Sequence, residues 1–256
     1  MGYIQILGCF SASMTIEKHQ SSQIVYHNNQ SYLIDCGEST QALIKKYKIK
    51  LSSINNIFIS HLHGDHYFGL PGLITTMNRK GRTKPLVIYG PKGLKEILTT
   101  MFKYGKSWTK FDLTFNEICD KENIIYSENL IEIETFKLNH RISCNAFKFT
   151  IKTNSNTFKY VYCSDTAYYP KIIDKIKNID LLYHEATFLK EHSAVAIKTK
   201  HSTSIDAANI AKAANIKMLL MGHFSTRYKN LEKFKIEASD IFNNSHIAIQ
   251  GNKYNF

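Results

Sequence analysis

A chain of 256 residues can bury a substantial core as one large domain, and its 33 Lys+Arg against 21 Asp+Glu leave a net charge of +12 and a pI near 9.3. That balance points to an acidic partner, nucleic acid being the commonest. Apolar runs fall well short of the roughly 20 residues that span a bilayer, and residues 1–10 lack the basic start of a signal peptide, so membrane-spanning and exported classes are set aside and the cytoplasm is expected.

Five widely spaced cysteines (Cys9, Cys36, Cys119, Cys144, Cys163) with no Cys-x-x-Cys pair read as scattered reduced thiols. In chain order, residues 3–7 form a short strand ending at Gly8. A polar loop over 11–22 leads to a strand at 23–26, and Asn28-Asn29 makes a hairpin turn into 32–37. Residues 40–47 read as a helix. The apolar run Ile57-Phe58-Ile59 then reads as a buried strand that ends in Ser60-His61-Leu62-His63-Gly64-Asp65-His66, with Gly64 letting the backbone fold back.

Residues 70–77 are expected to be the helix leaving that loop, 86–89 a strand, and Gly90-Pro91-Lys92-Gly93 the entry to a helix ending near 102. Residues 111–138 alternate in a β manner with breaks at Asp120-Lys121 and Ser127-Glu128. Residues 147–151 and 158–162 form a hairpin across Thr153-Asn154-Ser155-Asn156. Helix and strand then alternate: 171–176, 181–183, 204–214, 218–221, 231–241 and 247–249. With no repeat, low-complexity tract or linker, residues 1–256 are read as one domain in which two sheets pack face to face under outer helices.

Neutral imidazoles and a carboxylate are what zinc prefers at a catalytic site that keeps a position open to water. His61, His63, Asp65 and His66 supply both within six residues. Three further candidates each follow an apolar run: His140, Asp165 after Tyr160-Val161-Tyr162-Cys163-Ser164, and His223. Such a set approaches the seven or eight ligand bonds that a binuclear centre needs.

The pattern His-x-His-x-Asp-His after a strand resembles the metallo-β-lactamase superfamily. Its continuation Tyr67-Phe68-Gly69-Leu70-Pro71-Gly72-Leu73, together with His184-Glu185-Ala186-Thr187, His201-Ser202-Thr203 and Gly222-His223-Phe224-Ser225-Thr226-Arg227-Tyr228, resembles ribonuclease Z. The resemblance implies an α/β fold, a four-layer αββα sandwich forming one hydrolase domain. It implies two Zn(2+) per chain: His61, His63 and His140 on one, Asp65, His66 and His223 on the other, Asp165 between them.

The implied reaction removes the 3′ trailer from precursor tRNA by hydroxide attack on the phosphodiester. Asp65 accepts the water's proton, His201 protonates the leaving 3′-oxygen, and Glu185 orients His201 and raises its pKa. Asp35 is expected to hold the metal loops by hydrogen bonds. His184 reads as a packing residue, and His19, His27, His192 and His246 as surface residues. Arg227 has two assignments, a phosphate near the scissile bond or a carboxylate partner that steadies its loop. A homodimer is implied.

One piece of the family pattern is missing: the long flexible arm expected between His140 and Asp165 is reduced here to the hairpin through 153–156. The proline usual in the N-terminal loop is also absent from Gly8-Cys9-Phe10-Ser11-Ala12-Ser13-Met14. Three readings stay open: a tRNA endonuclease holding RNA on basic surface (Lys45, Lys46, Lys48, Arg79, Lys80, Arg82, Lys92), a zinc phosphodiesterase for small or generic diesters, and an RNA-binding protein on a dead hydrolase. The complete ligand set argues against the last.

Overall fold

The computed structural model of the chain describes residues 2–118, 123–153 and 156–256. Its contacts divide into two compact units, Met1–Cys119 with Ile249–Phe256, and Asp120–Ala248. Each carries one mixed sheet of seven strands.

In the first unit β1 (Tyr3–Gly8), β2 (Ser22–His27) and β3 (Gln30–Ile34) form an antiparallel meander. Asn28 and Asn29 turn β2 into β3 with φ of 48° and 62°, the left-handed pair that a two-residue hairpin needs. Three parallel crossovers follow, each carried by helix. They run β3 to β4 (Ile54–Phe58) through α1 (Thr40–Lys46), β4 to β5 (Leu86–Pro91) through α2 (Gly64–Tyr67) and α3 (Leu70–Arg79), and β5 to β6 (Leu113–Ile118) through α4 (Leu94–Tyr104).

The helices bury one stripe each, as their spacing dictates. Leu70, Leu73, Ile74 and Met77 recur at the i, i+3, i+4, i+7 positions of α3 and pack with Leu43, Leu98, Leu33, Ile57 and Ile88. The alternate strand residues Ile4, Ile6, Val25, Ile34 and Phe58 are buried as well, which is why these strands read as continuous apolar runs rather than half-polar ones.

In the second unit β7 (Asn123–Glu128), β8 (Ile131–Lys137), β9 (Asn145–Lys152) and β10 (Thr157–Cys163) run antiparallel. Then β11 (Leu181–Glu185), β12 (Met218–Gly222) and β13 (Ser245–Ile247) add in parallel, with α5 (Ser193–Thr199), α6 (Ser204–Ala213) and α7 (Glu232–Ser239) between them. The β9–β10 connection is short: Thr157 pairs with Lys152, and the Thr153 N–H donates to the Asn156 carbonyl at 2.8 Å. Residues 154 and 155 of the expected turn, and the expected break at Asp120-Lys121, lie outside the described residues. Nothing between His140 and Asp165 exceeds this hairpin in length.

Several expectations shift. Residues Pro170–Ile176 are a 3-10 segment rather than an α-helix. The strand expected at 247–249 lies at Ser245–Ile247 instead. The final strand β14 (Lys253–Asn255) returns to the first unit and pairs antiparallel with β1, Ile4 opposite Tyr254. His27, expected at the surface, is buried at the end of β2, 6.2 Å from the Phe256 ring, because the returning C-terminus covers that strand end. Cys9, Cys36, Cys144 and Cys163 are buried, and burial pushes the Cys9 and Cys36 thiols up to about 12. Iodoacetamide at pH 8 is therefore expected to leave Cys36 and Cys163 unlabelled until the chain unfolds, as peptide mapping would show. Among the described residues, no helix is long and apolar enough to cross a membrane.

Candidate metal centre

The first unit places His61, His63, Asp65 and His66 on the turn from β4 into α2. Asp35 anchors this turn. Its backbone sits at φ +52°, a left-handed value costly for a residue with a side chain. From there its carboxylate accepts from the Ser60 N–H (2.8 Å), the Ser60 hydroxyl (2.9 Å) and His66 Nδ1 (2.7 Å). Because Ser60 spends its one hydroxyl proton on Asp35, it accepts from His61 Nδ1 at 3.0 Å. Both imidazoles are thus fixed in the tautomer that leaves Nε2 as a lone pair.

Gly64 has no left-handed φ, and a Cβ there would fall 2.2 Å from the ring of Phe68, an exposed side chain that would have to turn aside. The Cys36 N–H donates to the His66 carbonyl (2.7 Å) and the Gly69 N–H to the Cys36 carbonyl (2.9 Å), tying the turn to the start of α1.

The second unit repeats the logic with different partners. His140 donates from Nδ1 to the Lys200 carbonyl at 2.8 Å, which Lys200 presents by adopting φ +55°. His223 follows β12 at φ +60°, and its Nδ1 lies 2.9 Å from the Thr187 hydroxyl. Thr187 donates its own proton to Glu185 Oε2 at 2.7 Å, so it accepts from His223. Glu185, fully buried at the end of β11, also accepts the backbone N–H groups of Thr166 and Thr187, each at 3.0 Å, and His201 Nδ1 at 2.8 Å. Burial pushes the Glu185 carboxyl up. The His201 charge and hydrogen bond outweigh that and hold it below the usual carboxylate range, with Asp165 opposing and His223 assisting.

His201 is positioned by the start of α6. Thr203 is the N-cap, bonded reciprocally with Asp206, and Ser202 donates to the Thr166 carbonyl at 2.7 Å. His184 is buried, donates to the Glu185 carbonyl at 2.7 Å, and is held below the usual imidazole pKa by burial. His192 bonds the Tyr228 hydroxyl at 2.8 Å. Arg227 lies exposed with its guanidinium 5.0 Å above the Phe188 ring and its Nε donating to Ser225 Oγ. Among the described residues it has no carboxylate partner, so the loop-steadying ion pair is not found.

The separations between donor atoms fit a metal better than direct hydrogen bonds. Two ligands about 2.0–2.1 Å from a tetrahedral ion lie about 3.3 Å apart. Asp165 Oδ1 is 3.3 Å from His223 Nε2, Asp165 Oδ2 is 3.7 Å from His140 Nε2, His66 Nε2 is 3.5 Å from Asp65 Oδ2, and His61 Nε2 is 3.1 Å from His63 Nδ1. Asp165, His201 and His223 also gather as a group able to hold an ion, yet the 2.8 Å bond to Glu185 occupies the His201 nitrogen nearest Asp165. Thr187, Ser60 and the Lys200 carbonyl were not anticipated from sequence. Each is a common residue whose contribution is one hydrogen bond made across the fold. Asp35→Ala is expected to weaken metal retention about 10- to 100-fold, measured by competition with a chromophoric chelator.

The family described as "Anti-Pycsar protein Apyc1" matches residues 3–243. The chain is 35% identical to "Ribonuclease Z" of Bacteroides fragilis (strain YCH46) over 291 aligned residues, with 96% of each chain covered. That alignment is longer than the 256 residues present here, so the relative carries residues this chain lacks. Among solved structures, human tRNase Z, short form (ELAC1), aligns with a TM-score of 0.85 at 25% identity over 98% of both chains. The metallo-beta-lactamase fold protein YhfI from Bacillus subtilis aligns with a TM-score of 0.83 at 22% identity over 100% of this chain and 99% of its own. The α/β sandwich expected from the motifs is the fold that these structures share.

Proposed function

We propose, for a chain that belongs to the ribonuclease Z family and has the metallo-β-lactamase fold, a zinc-dependent endoribonuclease that removes the 3′ trailer from precursor tRNA. The observation that carries this reading is the pairing of His201 with buried Glu185 beside the Asp165–His223 pair, since a proton donor next to a metal-ligand set suits hydrolysis of a diester with a poor leaving group.

In this reading His61, His63 and His140 would hold one zinc and Asp65, His66 and His223 the other, with Asp165 available to both, within a single hydrolase domain over 1–256. The donor chemistry fits: nitrogen and carboxylate oxygen, with the Nδ1 atoms of His61, His66, His140 and His223 each bonded to a protein oxygen. When bound, zinc supplies hydroxide at neutral pH and neutralises charge on the phosphate.

The chain's own groups do the rest. Asp65 accepts the proton of the attacking water. Glu185 fixes the tautomer of His201 and, as a carboxylate, favours its protonated form. His201 then presents Nε2–H to the leaving ribose 3′-oxygen, leaving a 3′-hydroxyl on the tRNA. Arg227, whose guanidinium lies 5.0 Å over the Phe188 ring, offers it to a phosphate oxygen. The protein acts in the cytoplasm as a homodimer, which light scattering at micromolar concentration would test.

A second reading, a zinc phosphodiesterase for small or generic diesters, is favoured by the four-residue link where an arm would stand. One experiment separates the two. Precursor tRNA transcripts with mapped ends are expected to be cut directly after the discriminator base. Turnover of a small aryl phosphodiester with no cleavage of the transcript selects the second reading. Dialysis against a chelator is expected to abolish either activity, and stoichiometric zinc to restore it.

A further inference from the structure

A groove of about 780 Å³ lies between α1 and α3 in the first unit. Lys45, Lys48, Lys50 and Lys80 line it, against one carboxylate, Glu38. A smaller hollow of about 220 Å³ shares Leu51, Ser52 and Lys80 with it and extends it to Lys84. All five lysines are exposed, and none of them is ion-paired among the described residues.

The helix dipoles account for part of this charge, since Lys45 lies in the last turn of α1 and Lys80 caps α3. They do not account for Lys48, Lys50 and Lys84, which lie beyond the helices. Lys48 is held at φ +56° where a lysine is not favoured. Arg82, expected among the open basic residues, is otherwise engaged. Its guanidinium donates to the carbonyls of Ile54, Lys84 and Pro85 and to Asn55 Oδ1, so it shapes the wall of the hollow rather than offering charge.

The direction of the groove gives it meaning. Gln41, in the first turn of α1, donates to Thr76 Oγ1 across the floor at 2.6 Å. The segment that leads into α1 meets the loop of His61 to His66 through the Cys36 bonds described above, and α3 starts four residues after His66. Its ten residues extend about 15 Å away from that loop. A polymer whose reacting phosphate sits at the loop and which follows α3 therefore reaches a group of unpaired ammonium groups toward the far ends of the two helices, in a groove lined by one carboxylate, Glu38.

We propose that the α1–α3 groove is a binding subsite for the phosphodiester backbone of an RNA substrate, held by Lys45, Lys48, Lys50 and Lys80. The inference rests on the RNA reading of the active centre, and it places on the body of the domain the remote binding energy that an arm would otherwise contribute.

The test is equilibrium binding of zinc-free protein to a precursor tRNA transcript across a salt series, with hydrolysis of an aryl phosphodiester by the zinc-loaded protein as a separate readout. The triple variant Lys45→Gln, Lys48→Gln, Lys80→Gln is expected to lower the slope of log affinity against log salt by about 2, to weaken binding about tenfold or more at 0.1 M salt, and to leave the aryl diester rate unchanged. The matching Lys→Arg triple is expected to bind like the native protein. Removing three lysines elsewhere, Lys212→Gln, Lys233→Gln and Lys235→Gln, is expected to change the slope far less.

Equal losses from both Gln triples would show only diffuse charge attraction and overturn the subsite. So would an unchanged slope, or native protein that cuts the transcript without measurable groove-dependent binding. Groove-dependent binding without transcript cleavage would keep the subsite and refute the proposed processing reaction instead.

Discussion

Asp65→Ala is expected to lower turnover of precursor tRNA by about 10,000-fold or more, equivalent to about 5.5 kcal/mol of transition-state stabilisation. Two losses combine. On the proposed mechanism the variant would give up a ligand, Asp65 Oδ2 lying 3.5 Å from His66 Nε2, as well as the acceptor for the water's proton. The fold is expected to survive, because Asp65 sits in the one-turn helix α2 and makes no part of the apolar stripe that α1, α3 and α4 bury. Rates, zinc content by mass spectrometry and the melting temperature of the metal-free protein are the three readings. Near-native cleavage with both zinc positions filled would remove Asp65 from the mechanism.

His201→Ala is expected to reduce transcript cleavage about 100- to 10,000-fold while sparing a p-nitrophenyl diester, whose leaving group departs without a proton. Glu185→Gln should follow the same pattern. An amide presents an N–H as readily as an oxygen to His201 Nδ1, so the tautomer is no longer fixed and the charge that favours the imidazolium is gone. A purely structural role for the pair would lower both substrates alike. The pH dependence supplies a second reading. The Glu185 carboxyl is held below its ordinary 4.5, so the stability it contributes is present above that value and is lost as pH falls through the depressed one. Metal-free Glu185→Gln protein is expected to show a shallower acid limb in its melting curve than the native chain.

Much of the fold is written locally. Short apolar runs mark the strands of the first unit and i, i+3, i+4, i+7 patterns its helices, and Asn28-Asn29 can make little else than a tight turn. The metal loop is equally legible, because three imidazoles and a carboxylate within six residues have few structural uses. The arrangement that makes those ligands effective is not local. Asp35 reaches Ser60 and His66 from 25 and 31 residues away, Thr187 reaches His223 across 36, and Lys200 offers His140 a carbonyl that any residue type possesses.

Surface and burial divide the same way. Sequence suggests a basic face containing Arg82. The tertiary structure withdraws Arg82 into a clamp of four acceptors and leaves the neighbouring lysines lining one groove. His27 looks like a surface histidine until the C-terminal strand comes back over the end of β2. By itself, then, the sequence determined which residues are chemically able to bind metal and move a proton, since that follows from side-chain type and short spacing. The tertiary structure decided which nitrogen each histidine presents, which cations stay open to solvent and which carboxylate serves as anchor, because those depend on hydrogen bonds between segments that only folding brings within about 3 Å.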